Sequence, residues 1–269
     1  MKKQGLKKFH LFFSSLFIFI LHIPFVFAKN RPVAVKTVGP KIVVAAPPVE
    51  EIPAAPAVVP GNTLAMVYDS LRLNVMGLSQ QAFDCAMHGF DYLVKAGKIA
   101  NRKIISIADF SLPSYKKRLF VIDLEKYKVV FNTYVAHGVN SGKEYAAQFS
   151  NRPESNQSSL GFYETMNTYI GKNGYSLHLQ GLDKGFNDNA DSRAIVMHGA
   201  DYVNEDLIQS QGYIGRSWGC PAVSEQLHKP IINKIKNGTC FFIYSPDKNY
   251  LSHSKILKQA AGMATANRS

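Results

Sequence analysis

A chain of 269 residues, 46% of them hydrophobic, can bury a sizeable core, which excludes a disordered protein and leaves room for one large domain or two small ones. The formal charge is +12, and the three cysteines are an odd number, so in an oxidising compartment at least one thiol stays unpaired.

Export is the first expectation in chain order. Lys2, Lys3, Lys7 and Lys8 form a basic start, Leu11 to Leu21 is apolar, and Val26-Phe27-Ala28 has the small-x-Ala form of a cleavage site. Residues 1–28 therefore read as a signal peptide, with the mature chain beginning at Lys29 in the periplasm or cell envelope. The alternative is an uncleaved anchor, the one case in which a membrane tether is expected. Cleavage takes four lysines from +12 and leaves +8. Outside the cytoplasm nucleic acid is not an expected partner; the charge suits an anionic envelope polymer, or plain solubility.

Residues 29–60 are rich in Pro, Ala and Val and form an extended linker. Over residues 61–100 the period becomes helical, with Leu64, Val67, Tyr68 and Leu71 in one run, and Phe83, Met87, Phe90 and Val94 in a second that Ser79 caps. The domain expected to carry the chemistry, residues 101–247, has β-branched and aromatic runs at Lys103–Ile107, Arg118–Leu124, Lys128–Val135, Tyr175–Leu179, Ala194–His198 and Cys240–Tyr244. Glu125-Lys126-Tyr127 joins the second and third as a hairpin. The fold class is thus mostly β, a sandwich or barrel, with a small helical segment before it. Between Gly138 and Gly174 a long polar stretch reads as a functional loop. A helix is expected over Ser224–Lys236, with Pro230 kinking it, and a flexible basic tail over 248–269.

Chemistry concentrates between Arg193 and Val223. Ala194-Ile195-Val196-Met197 is an apolar strand that delivers His198-Gly199, and Ser217-Trp218-Gly219-Cys220-Pro221 is a turn of small residues presenting a thiol. A sulfur attacks as thiolate, so Cys220 needs a base or a positive field beside it. A helix starting just after Cys220 would add its N-terminal charge and make the thiol unusually acidic. The N–H groups around Gly219 and Cys220 are the expected oxyanion donors. His198 is the leading base, yet His137 also ends an apolar strand and precedes a Gly, and patterning does not separate the two; His178 is weaker. These histidines with Cys220 could instead ligate zinc, but no Cys-x-x-Cys or His-x-x-x-His spacing is present, so neither a metal nor a cofactor is expected. Cys85 and Cys240 could pair, though Cys240 lies in an apolar run and reads equally well as a small buried hydrophobe.

His198-Gly199 followed by Arg216-Ser217-Trp218-Gly219-Cys220-Pro221-Ala222 resembles the signature of the L,D-transpeptidase catalytic domain, and Ser158-Ser159-Leu160-Gly161-Phe162 is similar to that family's small-x-Gly-aromatic segment. The resemblance spans about Ile104 to Tyr244. It implies a mostly β fold and a transferase of peptidoglycan stem peptides in cell-wall biogenesis: Cys220 takes the acyl group of a tetrapeptide as a thioester and passes it to an acceptor amine. His198 would be the base, with its other nitrogen held by a backbone carbonyl or Ser217. Trp218 stands where the family usually has His, Pro221-Ala222 depart from its pattern, and the loop between His198 and Ser217 is slightly long. Carboxylate recognition would then fall to Arg216 or Arg193, with Trp218, His137, Ser159 and Gly161 also expected at the substrate. A hydrolase releasing the thioester to water, and a wall-binding protein in which Cys220 is incidental, are the rival readings.

Overall fold

The computed structural model describes residues 64–266; the expected signal peptide and linker lie outside them. The N-terminal helical segment comprises α1 (Leu64–Ser70), the single turn α2 (Leu73–Met76) and α3 (Gln80–Lys95). Ser79 caps α3 as expected, its Oγ accepting from the Ala82 N–H at 3.1 Å and so satisfying one of the helix's orphan donors. The face bearing Ala82, Phe83, Ala86, Phe90 and Leu93 is buried, and each large side chain there contributes about 1.5–3 kcal/mol. Gly89 lets the Phe162 ring lie directly against the helix backbone.

Eight strands follow: β1 (Ile104–Asp109), β2 (Leu119–Asp123), β3 (Lys128–Thr133), β4 (Gly161–Gly171), β5 (Gly174–Gly181), β6 (Val196–Ala200), β7 (Ala222–Ser224) and β8 (Cys240–Tyr244). They form one sheet in the order β3-β2-β1-β8-β4-β5-β6-β7. The central strands β1, β2 and β8 are buried along their whole length, which explains why they read as mostly apolar runs rather than as strict alternation. The sheet curls until its two ends meet. Just beyond β3, Ala136 bridges Ala222 of β7, and Gly138 bridges Ser217. This seam nearly closes a barrel, the mostly β architecture expected from the sequence.

Several local expectations are corrected. The polar stretch from Gly138 to Gly174 is a loop only as far as Leu160; its second half is β4, whose outer end pairs with β5 in a hairpin with little apolar content to announce it. The segment between His198 and Ser217 contains α4 (Glu205–Gln211), capped by Asn204 Oδ1 on the Leu207 N–H at 2.8 Å. The helix expected from Ser224 starts only at His228 (α5, His228–Ile235), because Ala222–Ser224 is taken by β7; Pro230 then lies in the first turn, where its missing N–H costs nothing, and it does not kink the helix. The tail forms α6 (Lys248–His253) and α7 (Lys255–Ala266). It is anchored on the buried Asp183 carboxylate, which accepts from Tyr250 Oη (3.0 Å), Ser254 Oγ (2.6 Å) and the Phe162 N–H (2.9 Å).

Candidate active site

The parallel pair β6–β7 sets His198 opposite Ala222. Continued two residues toward the strand starts, the same register brings Cys220 to Val196, whose N–H meets Sγ at 3.5 Å. Registered neighbours project to the same face of a sheet, so His198 and Cys220 share one face and are diagonal to each other. The thiol faces the Ala194 carbonyl at 3.7 Å. Ala194 has φ +52°, a left-handed conformation that a non-glycine residue adopts only under constraint, and it aims that carbonyl at the sulfur.

His198 is buried, and its Nδ1 lies 2.9 Å from the Gly199 carbonyl. A carbonyl only accepts, so Nδ1 carries the proton and Nε2 presents a lone pair. Burial lowers the His198 pKa, as does the nearby His228, while the Gly199 carbonyl opposes them; the ring is therefore neutral and basic at Nε2. Of the two supports expected for His198 it is the backbone carbonyl that is used. Ser217 is committed to the turn: its Oγ donates to the Cys220 carbonyl at 2.6 Å and accepts from the Gly219 N–H at 3.1 Å.

Two expectations about the thiol are overturned. No helix begins at Cys220, since β7 follows it and α5 starts eight residues later. Burial raises the thiol's pKa, with the Val196 N–H and the Arg193 cation only opposing that rise. Desolvation of the anion outweighs the fields that favour it. The resting group is thus a thiol, and it needs a base at the moment of attack. The oxyanion assignment also shifts. The Gly219 N–H is spent on Ser217, while no protein acceptor among the described residues takes the Cys220 N–H. Gly219 has φ +120°, and a Cβ there would come within 2.9 Å of the Gln157 carbonyl, so the turn demands glycine.

The residues expected at the substrate divide. Arg193 is a loop clamp: Nη1 donates to the Ser150 carbonyl (2.8 Å) and to Ser159 Oγ, and Nη2 to Ser155 Oγ (3.0 Å) and the Gln157 carbonyl (2.8 Å). Ser159 is buried within that clamp and donates to the Ser150 carbonyl at 2.8 Å. Gly161 starts β4 against Asp183 and is buried. His137 is fully buried with both ring nitrogens engaged, so it cannot contact substrate. His178 stacks on Tyr169 in the β4–β5 hairpin. Arg216 remains available: among the described residues it donates once, to the Gly142 carbonyl at 3.1 Å, and it is half-exposed beside Tyr213. Trp218 is 76% exposed with Lys172 over its ring. Cys85, Cys220 and Cys240 are all free.

Sequence patterning missed Val196, Ala194, Tyr202 and His228. The first two act through their backbones, which carry no side-chain signal. Tyr202 packs on Gly215, and its phenol pKa is raised by burial and by the nearby Cys220. His228 packs on Gly199 from α5 and could have been noticed only as a histidine in the wrong element.

A family model of the L,D-transpeptidase catalytic domain matches residues 75–244. The chain belongs to the L,D-transpeptidase catalytic-domain family. Among solved structures it is similar to an L,D-transpeptidase from Mycobacterium smegmatis (12% identity, TM-score 0.33, covering 53% of this chain and 59% of that one). It is also similar to the helical cell shape determining protein Pgp2 from Campylobacter jejuni (15%, 0.38, 66% and 61%) and to an L,D-transpeptidase from Stackebrandtia nassauensis (14%, 0.32, 66% and 78%). The chain thus spans about three fifths of the first two of these proteins. No curated protein matches it.

Proposed function

We propose that this protein is an exported cysteine L,D-transpeptidase acting on peptidoglycan stem peptides, with Cys220 as nucleophile and His198 as base. The observation that carries the reading is the β6–β7 register, which sets a thiol and a neutral imidazole on one face at the barrel seam, with the imidazole's Nε2 unpartnered among the described residues. In the resting state Sγ is bonded to backbone groups and, among the described residues, no hydrogen bond joins it to His198. Catalytic bonds of this kind are often made only once substrate is bound.

The sulfur leaves the Ala194 carbonyl as its proton passes to His198 Nε2, and it attacks the amide carbon between the L-centre of diaminopimelate and terminal D-Ala. The Cys220 N–H holds the oxyanion. The C–N bond breaks, D-Ala departs with the proton from His198, and a thioester remains. An acceptor amine attacks the thioester carbon and gives its proton to His198; the C–S bond breaks, and His198 returns that proton to the departing sulfur, restoring the thiol. Arg216, rather than Arg193, whose Nη1 and Nη2 are committed to the loop, is the cation for a stem-peptide carboxylate. Exposed Trp218 flanks the acceptor side.

Intact mass spectrometry of the protein incubated with tetrapeptide muropeptides tests this. A Cys220 adduct with loss of D-Ala, followed by 3-3 cross-linked product, is expected; release to free acid only would make it a hydrolase, and a cellular role kept by Cys220→Ala would make it a wall-binding protein. Export is part of the proposal, and N-terminal sequencing of the exported form should begin near Lys29.

A further inference from the structure

The barrel seam holds a buried cation that the reaction above does not use. Arg118 is fully buried, among the described residues makes no ion pair with a carboxylate, and lies over the Phe110 ring at 4.6 Å. Its guanidinium donates to the Val135 carbonyl from Nε (3.1 Å) and Nη2 (2.9 Å), to the Leu112 carbonyl from Nη1 (2.9 Å), and to His137 Nδ1 from Nη2 (2.7 Å). A guanidinium only donates, so Nδ1 must be the acceptor. The proton therefore lies on Nε2, which donates to the Gly142 carbonyl at 3.2 Å, the carbonyl that Arg216 also holds. Protonating His137 would set N–H against N–H.

The same segment grips the nucleophile turn. The His137 carbonyl accepts from the Ser217 N–H at 3.0 Å, and the Val139 N–H donates to the Ser217 carbonyl at 2.7 Å. Ser217 Oγ then ties Gly219 and Cys220. We propose that Arg118 and His137 form a positioning clamp that sets the Ser217–Cys220 turn, and so the oxyanion donor, from the core side of the seam. The inference rests on the cysteine reading for its catalytic consequence, but its geometry can be tested without it.

His137→Gln retains a donor for Gly142 and an acceptor for Arg118 in imperfect geometry, whereas His137→Leu retains neither. Carbapenem acylation needs the oxyanion donor; alkylation by iodoacetamide needs only an accessible thiolate. In folded variants the clamp predicts acylation slower by about tenfold or more in His137→Gln, for a sub-ångström displacement, and slower still in His137→Leu. The alkylation rate and its pH profile should stay within about twofold of wild type. A proportional fall of both rates, or no fall in either, would overturn it. Two further measurements do not depend on acylation. Nitrogen NMR of the wild-type rings should find His137 protonated at Nε2 and bare at Nδ1 down to about pH 4. Amide exchange at Ser217 and Gly219 should quicken at least tenfold in His137→Gln; wild-type exchange there sinks the clamp even if Cys220 proves inert, whereas quickened exchange with an inert Cys220 sinks only the cysteine reading.

Discussion

Two corners of this molecule share a local sequence and do opposite things. At each, an apolar run leads into His-Gly: His137-Gly138 four residues beyond the end of β3, and His198-Gly199 within β6. Both rings are buried and neutral, and both have one nitrogen spent on the protein. They differ in what faces the other nitrogen. His198 donates to a carbonyl and keeps a free lone pair. His137 has its lone pair filled by Arg118 and its proton held by Gly142. A histidine can act as a base only through an uncommitted lone pair, so burial and strand position do not identify the catalytic ring; the partner of its second nitrogen does.

The largest expected effect breaks or keeps this contrast directly. His198→Ala should cut carbapenem acylation of Cys220 by about 10²–10⁴-fold, the usual worth of a general base, while His137→Gln costs far less. Prompt adduct formation without His198, and none in His137→Gln, would reverse the assignment.

Next is the closeness of backbone at the two glycines. A Cβ on Gly138 would lie 2.5 Å from the Asn156 carbonyl, and one on Gly199 would lie 2.7 Å from the His228 ring. Backbone cannot swing away, so Gly138→Ala should lower stability by about 1–3 kcal/mol, and Gly199→Ala by less. His228→Ala should rescue only the second, as chemical denaturation of the four variants would tell.

The corners also predict a pH dependence. Burial and Arg118 hold His137 down to about pKa 3, and burial holds His198 below its ordinary value. Between these folded values and the unfolded imidazole near 6.5, the unfolded chain binds more protons. The stability is therefore fully present above about 6.5 and is lost as pH falls toward 3. Urea midpoints against pH should show this slope, reduced in His137→Gln. For the thiol, burial implies an alkylation inflection above the usual thiol value of about 8.5; an inflection well below it would mean that resting activation exists after all.

The smallest effect on stability belongs to Trp218→Ala. Its side chain is mostly in water, so the change should fall within about 0.5 kcal/mol. If Trp218 flanks the acceptor, cross-linking should slow while carbapenem acylation does not; equal slowing of both would remove it from the acceptor side.

The chain's own pattern was enough for the central strands, the Ser79 cap, the β2–β3 hairpin and the Ser217–Cys220 turn, because local spacing and burial act together there: β1, β2 and β8 are covered on both faces and so are predominantly apolar. It was not enough for β4, whose outer half is polar and exposed, nor for the tail, which packs on an Asp183 carboxylate some seventy residues earlier. The thiol's environment was misjudged because burial, which only the packed structure decides, outweighs the Val196 N–H and the Arg193 cation, and no helix starts at the turn. The roles of the two histidines were decided only by the closed sheet. Arg118 and His137 lie nineteen residues apart, and Gly138 meets Ser217 only because the sheet's first and last strands come together. A sequence specifies that a histidine follows an apolar, strand-forming run; which hydrogen-bond partner awaits it there depends on chain brought from elsewhere, and that partner is what separates a base from a clamp.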